Sequence, residues 1–237
     1  MQKSIKYFII LLVLLAINAS YGQRNKKPQN LARYDFQKLH FGFTLGMNEL
    51  NFNIQKNSNT ITNDTLLSLL SRSQKGFNLG IVSNLRLGKY TDLRFIPTLV
   101  FGERHLYYGF IDNNQENDNK IKRIESTLID FPVCIKYKSA RYNNFRTYVL
   151  AGIKYSLDIA SQDEINDDGQ EIVKLKKNDL MGEVGFGLDC YLQYFKFSPQ
   201  IKLSYGILNL LSKDETIYTK SINRLSTNGW MLSFTFE

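Results

Sequence analysis

The chain has only two histidines, His40 and His105, so any imidazole-based chemistry must run through one of them. Acyl transfer or hydrolysis needs a base within reach of a hydroxyl and an acid that orients the base. The one pairing that the spacing offers is His105 with Ser126 on a following strand, and no acid stands where it would orient that base. Asp163-Glu164-Ile165-Asn166-Asp167-Asp168-Gly169 has the flavour of a calcium loop. It lacks the alternating oxygen donors and the glutamate at the twelfth place of the EF-hand, and reads as a solvated loop. Cys134 and Cys190 fall on opposite faces of their strands, which a disulfide cannot join, so two buried free thiols are expected. No nucleotide loop, metal cluster or redox motif is present, and no cofactor is implied. The sequence assigns no catalytic residues.

A second set of chemically capable residues is more regular. Arg86, Arg94, Asp130, Lys136, Lys154, Asp158, Asp189, Lys196 and Lys202 each stand between apolar neighbours, one residue to either side, and Glu183 stands between Gly182 and Val184. Two-residue alternation is the signature of a strand with one polar and one apolar face. Leu39, Phe41, Phe43, Leu45 and Met47 alternate with His40, Gly42, Thr44, Gly46 and Asn48. The same pattern recurs over about 77–87, 93–101, 129–137, 149–157, 184–188 and 195–207. It closes with Trp230, Leu232, Phe234 and Phe236 against Met231, Ser233 and Thr235. About eight strands result, the smallest common even number for a closed membrane barrel. An aromatic face ending one residue from the C-terminus is how the last strand of such a barrel reads.

The connections alternate in length. Glu49 to Lys75, the stretch around Asp112–Asn117, Ser161 to Lys177 and Leu208 to Ile222 are long. Gly88 to Thr91, Ser139 to Asn144 and the turn near Gln193 are short. Outer-membrane barrels have short periplasmic turns and long external loops, so both termini are expected in the periplasm. Pro97, Pro132 and Pro199 fall inside strands of a structure without free edges, and local bulges are expected there.

The N-terminus completes the picture. Lys3 and Lys6 precede an apolar run from Tyr7 to Ile17, too short to span a bilayer, and Ser20 and Gly22 suit cleavage before Gln23. Residues 1–22 thus read as a signal peptide, 23–37 as a flexible periplasmic lead-in, and 38–237 as an all-β, transmembrane up-and-down antiparallel barrel of a Gram-negative outer membrane. A signal anchor is the alternative for the first segment. The net charge of +8 falls to +6 without the two leader lysines, and no basic stripe interleaves with aromatics, so nucleic acid is not an expected partner. Fourteen tyrosines and sixteen phenylalanines against one tryptophan favour strands and interfacial belts.

An eight-stranded wall encloses just enough room for its own side chains. Arg94, Asp130, Lys136, Glu183, Asp189 and Lys202 are therefore the candidate lumen charge network, read as a hydrogen-bonded plug, with a conducting or ligand-binding lumen as the alternative. Two regions outside the wall are candidates for docking a partner. One is Leu66, Leu67, Leu69 and Leu70, too apolar for a merely solvated loop; the alternative is that they pack over the barrel mouth. The other is the basic lead-in with Arg24, Lys26 and Lys27.

Several stretches resemble one family. Asn30-Leu31, Tyr34-Asp35 and His40-Phe41-Gly42-Phe43-Thr44-Leu45-Gly46 are similar to the opening of the PorT proteins, outer-membrane barrels of the type IX secretion and gliding machinery. Leu128-Ile129-Asp130-Phe131-Pro132-Val133, Tyr194-Phe195-Lys196-Phe197-Ser198-Pro199, Ser204-Tyr205-Gly206 and Ser233-Phe234-Thr235-Phe236-Glu237 carry the resemblance through the mature chain. It implies a non-enzymatic accessory role in protein export. The implied partners are outer-membrane lipid and other secretion subunits, with no small-molecule substrate. A lipid-modifying barrel enzyme and a small passive porin are the alternatives.

Overall fold

A computed structural model describes residues 28–56, 66–111, 117–160, 175–212 and 222–237. Its strands are β1 (Leu39–Lys56), β2 (Leu66–Arg86), β3 (Thr91–Phe95), β4 (Thr98–Ile111), β5 (Asn117–Lys138), β6 (Phe145–Asp158), β7 (Asn178–Tyr191), β8 (Lys196–Gly206) and β9 (Ile222–Phe236). Every pairing is antiparallel, and β1 pairs with both β2 and β9, so the sheet closes on itself. Closure leaves no strand edge within the wall, which is what a barrel in lipid requires. β3 and β4 lie end to end between β2 and β5, so the wall is eight strands wide.

The break between β3 and β4 falls at Ile96-Pro97, where the missing proline N–H cannot continue the ladder. The expected bulges at the three prolines are absent. Register runs unbroken from Phe95↔Val133 to Thr98↔Asp130, through Pro132↔Lys154, and through Pro199↔Phe234. The wall absorbs these prolines by omitting ladder pairs, not by adding residues. Two shifts occur in β2, between Leu66 and Ser68 and between Ser73 and Phe77, neither at a proline, and the second lies at a glycine. Gly76 there has room for no side chain, because a Cβ would come within 1.9 Å of the Phe101 carbonyl oxygen.

Outward residues are apolar over a limited height. On β1 they run from Leu39 to Met47, a rise of roughly 20–25 Å once the strands tilt, which matches the apolar band of such barrels. Phe43, Phe77, Phe95, Phe131 and Phe186 are exposed on this face, and Phe197 stacks outward against Phe234. Beyond the band the outward positions turn polar, with Glu49 opposite Lys75 and Glu103 opposite Glu125.

The two ends differ. At the end holding the C-terminus, short turns join β2 to β3, β5 to β6 and β7 to β8; this is called the turn end below. At the opposite, loop end, β1, β2, β4 and β5 run well past the apolar band. Residues 49–56 and 66–75, expected as part of a long loop, are strand, because β1 continues along β9 and β2 along β4.

Candidate functional site

Strand alternation sends every second side chain inward, and the ring brings residues far apart in sequence into layers. At the turn end Lys136 Nζ lies 2.8 and 2.9 Å from the two carboxylate oxygens of Asp189, which also accepts from Ser198. Glu237 takes Arg94 at 3.1 Å and Lys196 at 2.6 Å. Gln200 Oε1 accepts from Arg94 at 3.2 Å and from the Tyr148 hydroxyl at 3.0 Å. One turn of the wall higher, Lys154 lies 3.0 Å from Asp130 and Lys202 lies 3.1 Å from Glu183. Ser156 donates to Asp130 at 2.6 Å and Cys134 Sγ to Glu183 at 3.5 Å. All these charged groups are buried, and each cation faces an anion. Buried charge is tolerable only in such pairs, where mutual attraction and hydrogen bonds offset desolvation.

Above the charged layers Leu50, Val100, Leu128 and Met231 cross the lumen, followed by Arg104, which donates to Thr227 and Ser126. The loop end is closed by an apolar cluster of Phe52, Leu69, Leu106, Tyr108, Leu175, Leu210, Leu211, Ile222 and Leu225. Internal cavities beside Arg104 and beneath the turn-end cap measure about 20 and 10 Å³. Each has room for about one water molecule at most.

The turn end is closed by the lead-in, whose described residues 28–37 are docked instead of loose. A single 3-10 turn, Tyr34–Phe36, lies across the opening. Asp35 accepts a two-pronged pair from Arg146 at 3.0 and 3.2 Å, one bond from Arg141 at 3.3 Å and one from the Tyr191 hydroxyl at 3.1 Å. Burial alone would push the Asp35 carboxyl up, but the Arg146 charge and these bonds outweigh it and hold it below the usual aspartate range. Tyr34 stacks on His40 at 3.9 Å and accepts from Lys196 at 2.9 Å, and burial raises its phenol well above the ordinary tyrosine value.

All six residues expected in the lumen network, Arg94, Asp130, Lys136, Glu183, Asp189 and Lys202, face the interior and pair there. Sequence reasoning missed Glu237, Tyr148 and Gln200. Glu237 follows the alternation of β9 by two residues beyond Thr235, and its partners on β3 and β8 are visible only in the closed ring. Of the leucines, Leu69 is buried in the apolar closure while Leu70 is exposed, so the stretch does not act as one patch. Nothing is described for the side chains of Leu66 and Leu67, and Arg24, Lys26, Lys27 and the acidic run at 163–169 lie outside the described residues. His105 does find an acid, Glu103 at 2.5 Å, yet both face outward while Ser126 faces the lumen and bonds Arg104. A hydroxyl on the far side of the wall cannot be activated. Among the described residues no cluster suits a metal ion. Both cysteines are free, and Cys190 is half-buried on the outer face instead of buried.

The family model for the outer membrane protein beta-barrel domain matches residues 21–212. The chain belongs to that family, and is an outer-membrane β-barrel of the small, eight-strand type. Among solved structures it is similar to Neisserial surface protein A, with 12% identity, 84% of this chain and 98% of that one covered, and a TM-score of 0.42. The outer membrane protein OprG of Pseudomonas aeruginosa gives 12% identity, coverage of 82% and 93%, and a TM-score of 0.40. Ail of Yersinia pestis, in complex with the heparin analogue sucrose octasulfate, gives 13%, 84% and 99%, and 0.39. Among curated proteins, Arrestin domain-containing protein F of Dictyostelium discoideum is 28% identical over 155 residues, and the chain spans 15% of its length. A match of that extent does not define a family.

Proposed function

We propose that this barrel is a sealed, non-enzymatic membrane anchor that serves protein export across the outer membrane as an accessory of type IX-like secretion machinery, with both termini in the periplasm. The observation that carries the sealed-anchor reading is the lumen, filled by paired charges through the membrane and closed at either end. A wall without a passage leaves contacts outside it as the means of acting, and loops and docked segments on a rigid scaffold are where such contacts concentrate. The export role itself rests on the likeness of the opening, mid-strand and closing motifs to PorT proteins. Short turns at one end and long connections at the other support the orientation. Leu70 and the lead-in with Arg24, Lys26 and Lys27 are the candidate contacts.

A clean deletion, followed by proteomics of medium, cell surface and periplasm, tests the reading. Many cargo proteins should accumulate in the periplasm. Unchanged cargo with altered outer-leaflet lipid mass would favour a lipid enzyme, and unchanged cargo with altered small-solute uptake a porin.

A further inference from the structure

The cap over the turn end is held in an unusual way. Phe36 is 77% exposed, and the one ring of the turn that packs is Tyr34, stacked on His40 and set edge-on to Tyr191. The rest of its attachment is polar: the four bonds to Asp35, the Lys196–Tyr34 bond, Arg86 to the Asp35 carbonyl, Arg141 to the Asn30 carbonyl, His40 against the Tyr34 carbonyl, and the Asn30 bonds to Asn144 and to the Tyr191 carbonyl. Just before it Leu31 sits at φ 49°, in the left-handed region that favours glycine, so the docked backbone is strained.

On the receiving side, Arg141 is held by barrel groups as well as by the lead-in. Arg141 stacks over the Tyr191 ring at 3.7 Å, and its Nε bonds the carbonyl of Asn143, itself held at φ 52° in the β5–β6 turn. Arg146 presents its planar fork from β6, and Tyr191 its hydroxyl from β7. A fork, a second guanidinium and a hydroxyl converging on one carboxylate is a recognition geometry. Without Asp35, two arginines would remain at the rim with their preferred ligand gone.

We propose that Arg141, Arg146 and Tyr191 form a receptor for an acidic side chain presented on a peptide turn, filled here by the chain's own Asp35. The lead-in is then a self-ligand, and an acidic segment of a partner protein takes its place when the barrel is engaged. Exchange opens no pore, because Lys196 gives up only its bond to Tyr34 and keeps Glu237, while Arg94–Glu237 and Lys136–Asp189 beneath are pairs within the wall. It releases the lead-in and docks the partner in one step. This rests on the reading of the barrel as an anchor that acts through contacts outside its wall.

The test uses the full mature protein, refolded in detergent and checked by its heat-dependent gel mobility. Hydrogen exchange of residues 28–38 should be slow in the wild type and at least ten-fold faster in Asp35→Ala. A capped peptide copying residues 28–38 should bind Asp35→Ala and not the wild type. Its Asp35→Asn version should bind at least ten-fold more weakly, and Arg146→Ala should abolish binding. An unrelated capped peptide bearing one aspartate should compete. Equal exchange in the two proteins, no binding, or equal binding of the asparagine peptide would overturn the receptor. Failure of the unrelated peptide to compete would overturn exchange with a partner. None of these readouts depends on export, so a failed secretion assay and a failed receptor remain distinguishable.

Discussion

Lys136 and Asp189 show what a single pair does in this lumen. Neither reaches solvent, their contact is two-pronged, and Lys136 also lies over the Tyr148 ring at 3.6 Å. Lys136→Met removes one partner and leaves a buried carboxylate with Ser198 as its remaining close donor. Breaking such a pair should cost about 3–5 kcal/mol, whereas removing both charges together should be far closer to neutral. Urea unfolding of Lys136→Met and of Lys136→Met with Asp189→Leu, in lipid, measures both. A double variant as unstable as the single one would mean that the pair does more than neutralise itself. Asp35 works by another logic, since its partners are at the rim and its bonds can be exchanged with water.

At the scale of the strand, the two faces carry opposite demands. β7 places Phe186 outward at 52% exposure and Glu183 and Asp189 inward, with alternation as the sole device that sorts them. An arginine at Phe186, near mid-depth, should destabilise the barrel by about 2–4 kcal/mol. Glu49→Arg, on β1 above the apolar band, should cost about 0–1 kcal/mol by the same measurement of reversible unfolding in lipid. Similar costs at the two sites would place the membrane elsewhere on the wall. The leucines of β2 divide by the same rule: Leu69 joins the apolar closure of the loop end and Leu70 looks away from it. A serine at Leu70 therefore probes a contact surface, whereas a serine at Leu69 removes part of the core.

For the molecule as a whole, the decisive property is that the inward side chains of the described residues fill the lumen in successive layers. Charged layers, an apolar layer and an apolar closure follow one another from the turn end to the loop end, with the lead-in beneath them. Purified protein in planar bilayers should therefore show no stable ohmic conductance. Sustained conductance steps from a monomer would require the side chains to leave the lumen, and would return the porin reading.

The sequence alone determined which residues face lipid and which face inward, because period-2 alternation survives without any knowledge of the neighbours. Phe43, Phe77, Phe95, Phe131 and Phe186 on one face, and Lys136, Lys154, Glu183 and Asp189 on the other, could all be sorted by counting in twos. Strand lengths could not be read that way. β1, β2, β4 and β5 outrun the lipid, and beyond the band their polarity no longer distinguishes strand from loop. Only ring closure decided which inward charges meet: Lys136 on β5 finds Asp189 on β7, and Arg94 on β3 finds Glu237 across the lumen. Such partners depend on register and on the curvature of the wall, neither of which leaves a trace in local spacing. The docking of Asp35 was hidden for the same reason. A polar, basic lead-in with no periodicity reads as loose, and what orders it is a set of donors more than a hundred residues away in the chain.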